Sequence, residues 1–211
     1  MDSLTSLAVM QDAPVIPVIV LHDLAHAVPL ATALVAGGIR MLEITLRTPI
    51  ALAAIERISR EVPEAVVGAG TVCNAKEAQA AQAAGARFAV SPGYTSLLGQ
   101  ACHALCLPLL PGVASASELM RAQDDGYTAL KFFPAAQAGG IAMLRALAGP
   151  FAHIRFCPTG GITMQNAPEY LALQNVLCVG GSWLIPAEAL LQGDFAKIET
   201  LARLAAMLPR E

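Results

Sequence analysis

At 211 residues, the chain is long enough for one domain with a substantial core and short for two ordinary ones. A formal net charge of −3 gives no electrostatic footprint for nucleic acid or an anionic membrane, which leaves small molecules and further copies of the chain as expected partners. Hydrophobic residues make up 55% and charged ones 14%, but Gly, Pro or Arg breaks every apolar run well short of a membrane span, so the composition predicts a soluble protein with a rich apolar interior.

The first segment, Met1 to Gln11, carries Asp2 and no basic run ahead of its short apolar stretch. That is not the pattern of a signal peptide, so the expected location is cytoplasmic. The stretch before Val15 is expected to form a short helix over the closed bottom of the fold. From there, short β-rich segments alternate with longer segments of helical spacing. The predicted strands are Val15–Val20, Met41–Arg47, Ala65–Thr71, Arg87–Pro92, Pro108–Val113, Ala129–Pro134, Arg155–Gly160 and Val176–Gly181. Helix starts are marked by Asn74 with Glu77 and by Ser115 with Glu118, each a cap residue with an acid three positions on. Gly37-Gly38, Gly85, Gly126 and Gly149-Pro150 mark stops ahead of the next strand.

Eight strand-then-helix units predict an α/β fold, specifically a closed TIM (β/α)8 barrel with a short N-terminal helix, as one domain over 1–211. An open doubly wound sheet is the alternative. It usually carries a Gly-rich fingerprint after the first strand, which Val20-Leu21-His22-Asp23 does not provide. Five cysteines with no Cys-x-x-Cys unit read as free, mostly buried thiols.

In a barrel the chemistry sits at the C-terminal ends of the strands. On the sixth strand, alternation puts Lys131 on one face with Ala129 and Phe133, and Leu130 and Phe132 on the other. The other two lysines, Lys76 and Lys197, sit among Glu and Gln in helical surroundings. A lysine pointing into an apolar interior loses hydration of its charged form, and the neutral amine is the nucleophile that attacks a carbonyl. The plain alternatives are a lysine snorkelling from a strand end or a purely structural ion pair.

The second strand alternates cleanly, with Leu42, Ile44 and Leu46 on one face and Glu43, Thr45 and Arg47 on the other. The polar face must line the interior and its mouth. Each step of Schiff-base chemistry moves a proton, and Glu43 is the acid on these strand ends able to carry it. Arg47, nearer the mouth, suits a substrate carboxylate held by two hydrogen bonds. The third strand ends Gly68-Ala69-Gly70-Thr71, read as glycines that keep the floor open and a hydroxyl offered to the substrate. Gly160-Gly161 and Gly180-Gly181-Ser182 present clustered N–H groups, with a helix N-terminus expected beyond the second, as in a phosphate site. His22, His26, His103 and His153 do not converge on strand ends, so no metal site is expected.

Taken together, Glu43-Ile44-Thr45-Leu46-Arg47, Gly68-Ala69-Gly70-Thr71-Val72, Ser91-Pro92-Gly93, Leu130-Lys131-Phe132-Phe133-Pro134, Cys157-Pro158-Thr159-Gly160-Gly161-Ile162 and Gly180-Gly181-Ser182-Trp183 resemble the 2-keto-3-deoxy-6-phosphogluconate (KDPG) and 4-hydroxy-2-oxoglutarate (KHG) aldolases. The resemblance spans nearly the whole chain. It implies that Lys131 forms the Schiff base and Glu43 shuttles protons, that Arg47 and Thr71 hold the pyruvate carboxylate, and that Pro92 and Phe133 shape the pocket. It further implies that Thr159 contacts the aldehyde half and that Gly160, Gly161, Gly181 and Ser182 bind phosphate. A homotrimer of the Entner–Doudoroff route, without metal or organic cofactor, is implied as well. KDPG, its galactonate epimer and KHG all remain open as preferred substrate. Two rival functions also remain: a phosphosugar isomerase or epimerase with Glu43 as base, and a sugar-phosphate sensor without turnover.

Overall fold

The computed structural model describes residues 4–210. Met1, Asp2, Ser3 and Glu211 lie outside the described residues, and with them the reading placed on Asp2. Helix α1 (Ser6–Asp12) precedes strand β1 (Val15–Ile19), and a short 3₁₀ turn leads into α2 (Ala27–Ala36). The chain continues through β2 (Met41–Thr45), α3 (Ala51–Glu61), β3 (Val66–Gly70), α4 (Ala75–Ala83), β4 (Phe88–Val90) and α5 (Ser96–Ala104). Two very short strands follow, β5 (Leu109–Leu110) and β6 (Gly112–Val113), then α6 (Ala116–Asp124) and β7 (Ala129–Phe132). The remainder is α7 (Gly140–Ala148), β8 (Arg155–Pro158), α8 (Ala167–Leu171), β9 (Val179–Gly181), α9 (Ala187–Gln192) and α10 (Phe195–Ala206).

The helix starts have local causes. The Asn74 side chain accepts from the Glu77 N–H at 3.0 Å at the head of α4. At α6, Ser115 and Glu118 form a reciprocal capping box, with Glu118 accepting from the Ser115 N–H at 3.0 Å.

The expected closed eight-stranded barrel is not what forms. All observed pairings are parallel, but they divide into a curled six-stranded sheet in the order β5-β4-β3-β2-β1-β9 and a separate three-stranded sheet, β6-β7-β8. Two prolines account for the two seams. In the fifth predicted strand, Leu110 C=O accepts from Ser91 N–H toward β4, while Pro111 C=O accepts from Lys131 N–H toward β7. The N–H that Pro111 lacks is therefore the one that would have faced β7, and the strand breaks into β5 and β6. Gly112 N–H turns to the Ser91 hydroxyl at 3.3 Å instead.

At the other seam, Phe156 exchanges bonds with Asn175 and Leu177, so the even-numbered residues of β8 face β9. Pro158 occupies the next such position and has no hydrogen to give. Only single bridges, Phe156 to Val176 and Thr159 to Gly180, cross this gap.

Alternation sorts the strand residues into two packing layers. Leu42, Ile44, Leu130 and Phe132 join the large core between strands and helices. Ile16, Met41, Phe88, Val90, Leu110, Ala129, Cys157 and Cys178 fill the inside of the curl, where Val9 and Met10 of α1 cover the end nearest the strand N-termini. Above that apolar plug the inner face turns polar, and the candidate site lies there.

Candidate active site

A cavity of about 260 Å³ opens at the C-terminal ends of the strands, and all eleven site residues expected from the sequence line it. Most of the side chains sit just past a strand end. Arg47 follows β2 by two residues, Thr71 follows β3 by one and Pro92 follows β4 by two, while Phe133, Thr159 and Ser182 each come immediately after β7, β8 and β9. Phe133 and Thr159 still bond to neighbouring strands through their backbones, Phe133 N–H to Val113 C=O at 3.1 Å and Thr159 N–H to Phe132 C=O at 2.9 Å, so what these positions offer the cavity is chiefly their side chains.

Lys131 and Glu43 form the deepest polar pair. Lys131 Nζ donates to Glu43 Oε1 at 3.3 Å, with side chains 6% and 4% exposed. The ammonium also stands 5.0 Å from the centre of the Phe133 ring. A buried pair of this kind holds both groups in a fixed relation, because either one alone would be an uncompensated charge away from water. Beneath it, Cys157 pairs with Lys131 in register across β8 and β7. Burial, followed by the hydrogen bond its S–H donates to Cys157, pushes the neighbouring Cys178 thiol well above its ordinary range, so this thiol is a neutral filler of the floor.

Arg47 is exposed at the mouth and has no carboxylate partner among the described residues. Its Nε donates to the Thr45 hydroxyl at 3.3 Å. Thr71, beside it, is held at φ 60°, a left-handed conformation that a β-branched residue adopts only under strain.

Across the cavity, Gly160 at φ 99° and Gly161 at φ 75° make a turn that no other residue follows easily. Asn166 clamps that turn, its Nδ2 donating to Gly161 C=O at 3.0 Å and its Oδ1 accepting from Thr163 N–H at 2.8 Å. Thr159 is 6% exposed, and its hydroxyl donates to Cys157 C=O at 3.3 Å.

Two further expectations need correction. The glycines of β3 do not keep the floor open: a Cβ at Gly68 would meet the Phe88 ring, and one at Gly70 the Glu43 side chain, so both spaces are filled. No regular helix begins directly beyond Gly180-Gly181, because the chain first makes a turn closed by Ile185 N–H on Ser182 C=O at 3.0 Å, and α9 starts only at Ala187. Among the described residues no group of three or more His, Cys, Asp or Glu side chains is arranged to hold a metal ion.

Four cavity residues are not among the eleven expected site residues: Val18, Thr45, Ile162 and Gly180. Thr45 carried a signal, a hydroxyl between two charged residues on one polar face. Gly180 adjoins a glycine already assigned. Val18 and Ile162 are indistinguishable in sequence from core residues.

A buried amine held against a carboxylate, in a cavity at the C-terminal ends of parallel strands, is the arrangement that a lysine-dependent carbon–carbon lyase requires. The model of the aldolase family "KDPG and KHG aldolase" matches residues 7–201. The 2-dehydro-3-deoxy-phosphogluconate aldolase of Dickeya dadantii (strain 3937) is 55% identical over 195 residues, which is 92% of each chain. Among solved structures, the KDPG aldolase of Legionella pneumophila, with pyruvate captured as a covalent carbinolamine intermediate, is 50% identical at a TM-score of 0.94, covering 96% of this chain and 98% of that one. The KDPG aldolase of Zymomonas mobilis ZM4 with 3-phosphoglycerate is 53% identical at a TM-score of 0.92, covering 97% and 96%. The chain belongs to the KDPG and KHG aldolase family. It is a class I aldolase.

Proposed function

We propose that the chain cleaves 2-dehydro-3-deoxy-6-phosphogluconate to pyruvate and glyceraldehyde 3-phosphate in the Entner–Doudoroff route, with 4-hydroxy-2-oxoglutarate as a further substrate, and that Lys131 and Glu43 carry the chemistry. The observation that supports these roles is the 3.3 Å contact between a nearly enclosed lysine amine and a nearly enclosed carboxylate that line a cavity of about 260 Å³.

The Lys131 amine adds to the C2 ketone to give a carbinolamine. Glu43 gives a proton to the departing hydroxyl, and water leaves. The protonated imine then takes up the electron pair of the C3–C4 bond as it breaks, while the C4 hydroxyl proton passes to Glu43 and the aldehyde departs. Protonation of the enamine at C3 gives the pyruvate imine, which water hydrolyses to free Lys131. Arg47 and Thr71 hold the carboxylate of the 2-oxo acid, and Pro92 and Phe133 pack against its reacting carbons. Thr159 faces the aldehyde half. Gly160, Gly161, Gly181 and Ser182 receive the phosphate. Lys131 and Arg47 against the single Glu43 leave the cavity with an excess positive charge, which favours a doubly anionic substrate.

The chain is further proposed to act as one aldolase domain, to work in the cytoplasm and to assemble as a homotrimer. Among the described residues no helix is long and apolar enough to cross a membrane. Self-association is supported by large apolar side chains left on the surface of the single chain, among them Leu97 at 78% and Leu191 at 80% exposed. Borohydride reduction in the presence of pyruvate tests the central role: one reduced pyruvate should be found on Lys131 by peptide mass mapping. A folded enzyme that gains no mass at Lys131 would overturn it.

A further inference from the structure

The catalytic acid has a seat, and the seat is made by a missing side chain. Gly70 ends β3 and pairs in register with Thr45, two residues along β2 from Glu43. A glycine in a strand interior is unfavourable unless the backbone or the space demands it. The backbone does not demand it, because Gly70 is absent from the residues with positive φ. Its carbonyl accepts from Leu46 N–H at 2.8 Å, an ordinary ladder bond.

The space does demand it. A Cβ at Gly70 would stand 2.6 Å from Glu43 Cγ and 2.8 Å from Glu43 Cδ, and would also overlap Oε1, the oxygen that accepts from Lys131. The obstruction is the far end of a flexible side chain and not backbone. It therefore falls on the position of the carboxylate, which has the adjoining cavity to move into, and only weakly on the fold. At Gly68, two residues earlier, the same test meets the Phe88 ring of the core, so that glycine serves packing.

We propose that Gly70 is a positioning residue for the aldol reaction: its bare Cα sets the place of the Glu43 carboxylate against Lys131. This role presupposes that Glu43 shuttles protons. Glu43→Gln alone tests that premise, and wild-type kcat in E43Q would remove the premise and with it the role of Gly70.

If the premise holds, Gly70→Ala should lower kcat by about 10- to 100-fold, the scale for a displacement on the order of 1 Å at a reacting group. Its KM for the 2-oxo acid and its melting temperature should stay close to those of the wild type. A purely structural role would instead lower the melting temperature and leave the turnover of the folded fraction intact.

The double variant G70A/E43D decides whether the effect passes through Glu43. Aspartate is shorter by one methylene and makes room for the new methyl group, so the double variant should be more active than the product of the two single losses predicts. Multiplicative losses would overturn the proposal, as would wild-type kcat in G70A. If G70A does not fold, the glycine serves the fold and not the place of the carboxylate, and the proposal is overturned.

Discussion

Thr45 holds Arg47 from below: its hydroxyl gives its hydrogen to Ile19 C=O at 2.8 Å and accepts from Arg47 Nε at 3.3 Å. The direction of both bonds is thereby fixed, and the two terminal nitrogens of the guanidinium are left for a ligand. Thr45→Val keeps the shape and removes both bonds. The half-saturating pyruvate concentration for borohydride trapping should rise by about 5- to 10-fold, corresponding to one hydrogen bond of about 1 kcal/mol. Turnover at saturation should change little, and Thr45→Ser should restore binding. If T45V binds pyruvate normally while R47A does not, Thr45 has no part in orienting the guanidinium.

Glu43→Gln leaves the Lys131 ammonium in place with a neutral partner of the same shape. Turnover should fall by about 10²- to 10⁴-fold, the range for loss of a general acid–base. Single-turnover cleavage followed by mass spectrometry should show which covalent species accumulates on Lys131. Normal turnover would exclude Glu43 from the proton steps.

Ser182 separates the phosphate from the rest of the substrate. In the condensation direction, Ser182→Ala should raise KM for glyceraldehyde 3-phosphate by about tenfold, as expected for one hydrogen bond to a charged group. KM for unphosphorylated glyceraldehyde should be unchanged. An equal effect on both aldehydes would place the phosphate elsewhere.

The five free thiols divide by burial, with Cys73 and Cys106 exposed and Cys102, Cys157 and Cys178 buried. Burial pushes the Cys102 thiol up to about 11 and raises that of Cys178 well beyond its usual range, so both stay protonated at neutral pH as well as enclosed. A thiol reagent should titrate two cysteines in the native protein and five after denaturation. Rapid native labelling of Cys178 would contradict the packing of the inner floor.

The capping box at Ser115 is not part of the cavity lining. Ser115→Ala should destabilise the protein by about 1 kcal/mol while kcat and KM stay at wild-type values. Chemical denaturation paired with a steady-state assay checks both halves of this expectation.

Much of the site could be read from alternation along single strands. On β2, three apolar and three polar side chains occupy opposite faces, and the structure sends Leu42 and Ile44 to the outer core and Glu43, Thr45 and Arg47 to the cavity. Lys131 was conspicuous because its strand neighbours are apolar. Closure of the sheet was misjudged for a reason also present in the sequence. Counting strands treats every residue as a potential donor, whereas Pro111 and Pro158 each lack the N–H that faces the adjoining strand. What the sequence could not convey is contact between side chains remote along the chain. Gly70 reads as a glycine that keeps the floor open until Glu43 is seen filling its place, and Val18 reads as core until its cavity exists.

Thr71 carries a price in rigidity that evolution of a sturdier enzyme would be tempted to remove. A β-branched residue held at φ 60° stores about 1 to 3 kcal/mol of unfavourable backbone energy beside the mouth of the cavity. Selection for heat resistance alone should therefore enrich glycine or asparagine at this position. The survivors would be hardier proteins that grip their keto acid less well, and that trade would be visible as a rise in Tm accompanied by a loss in kcat/KM.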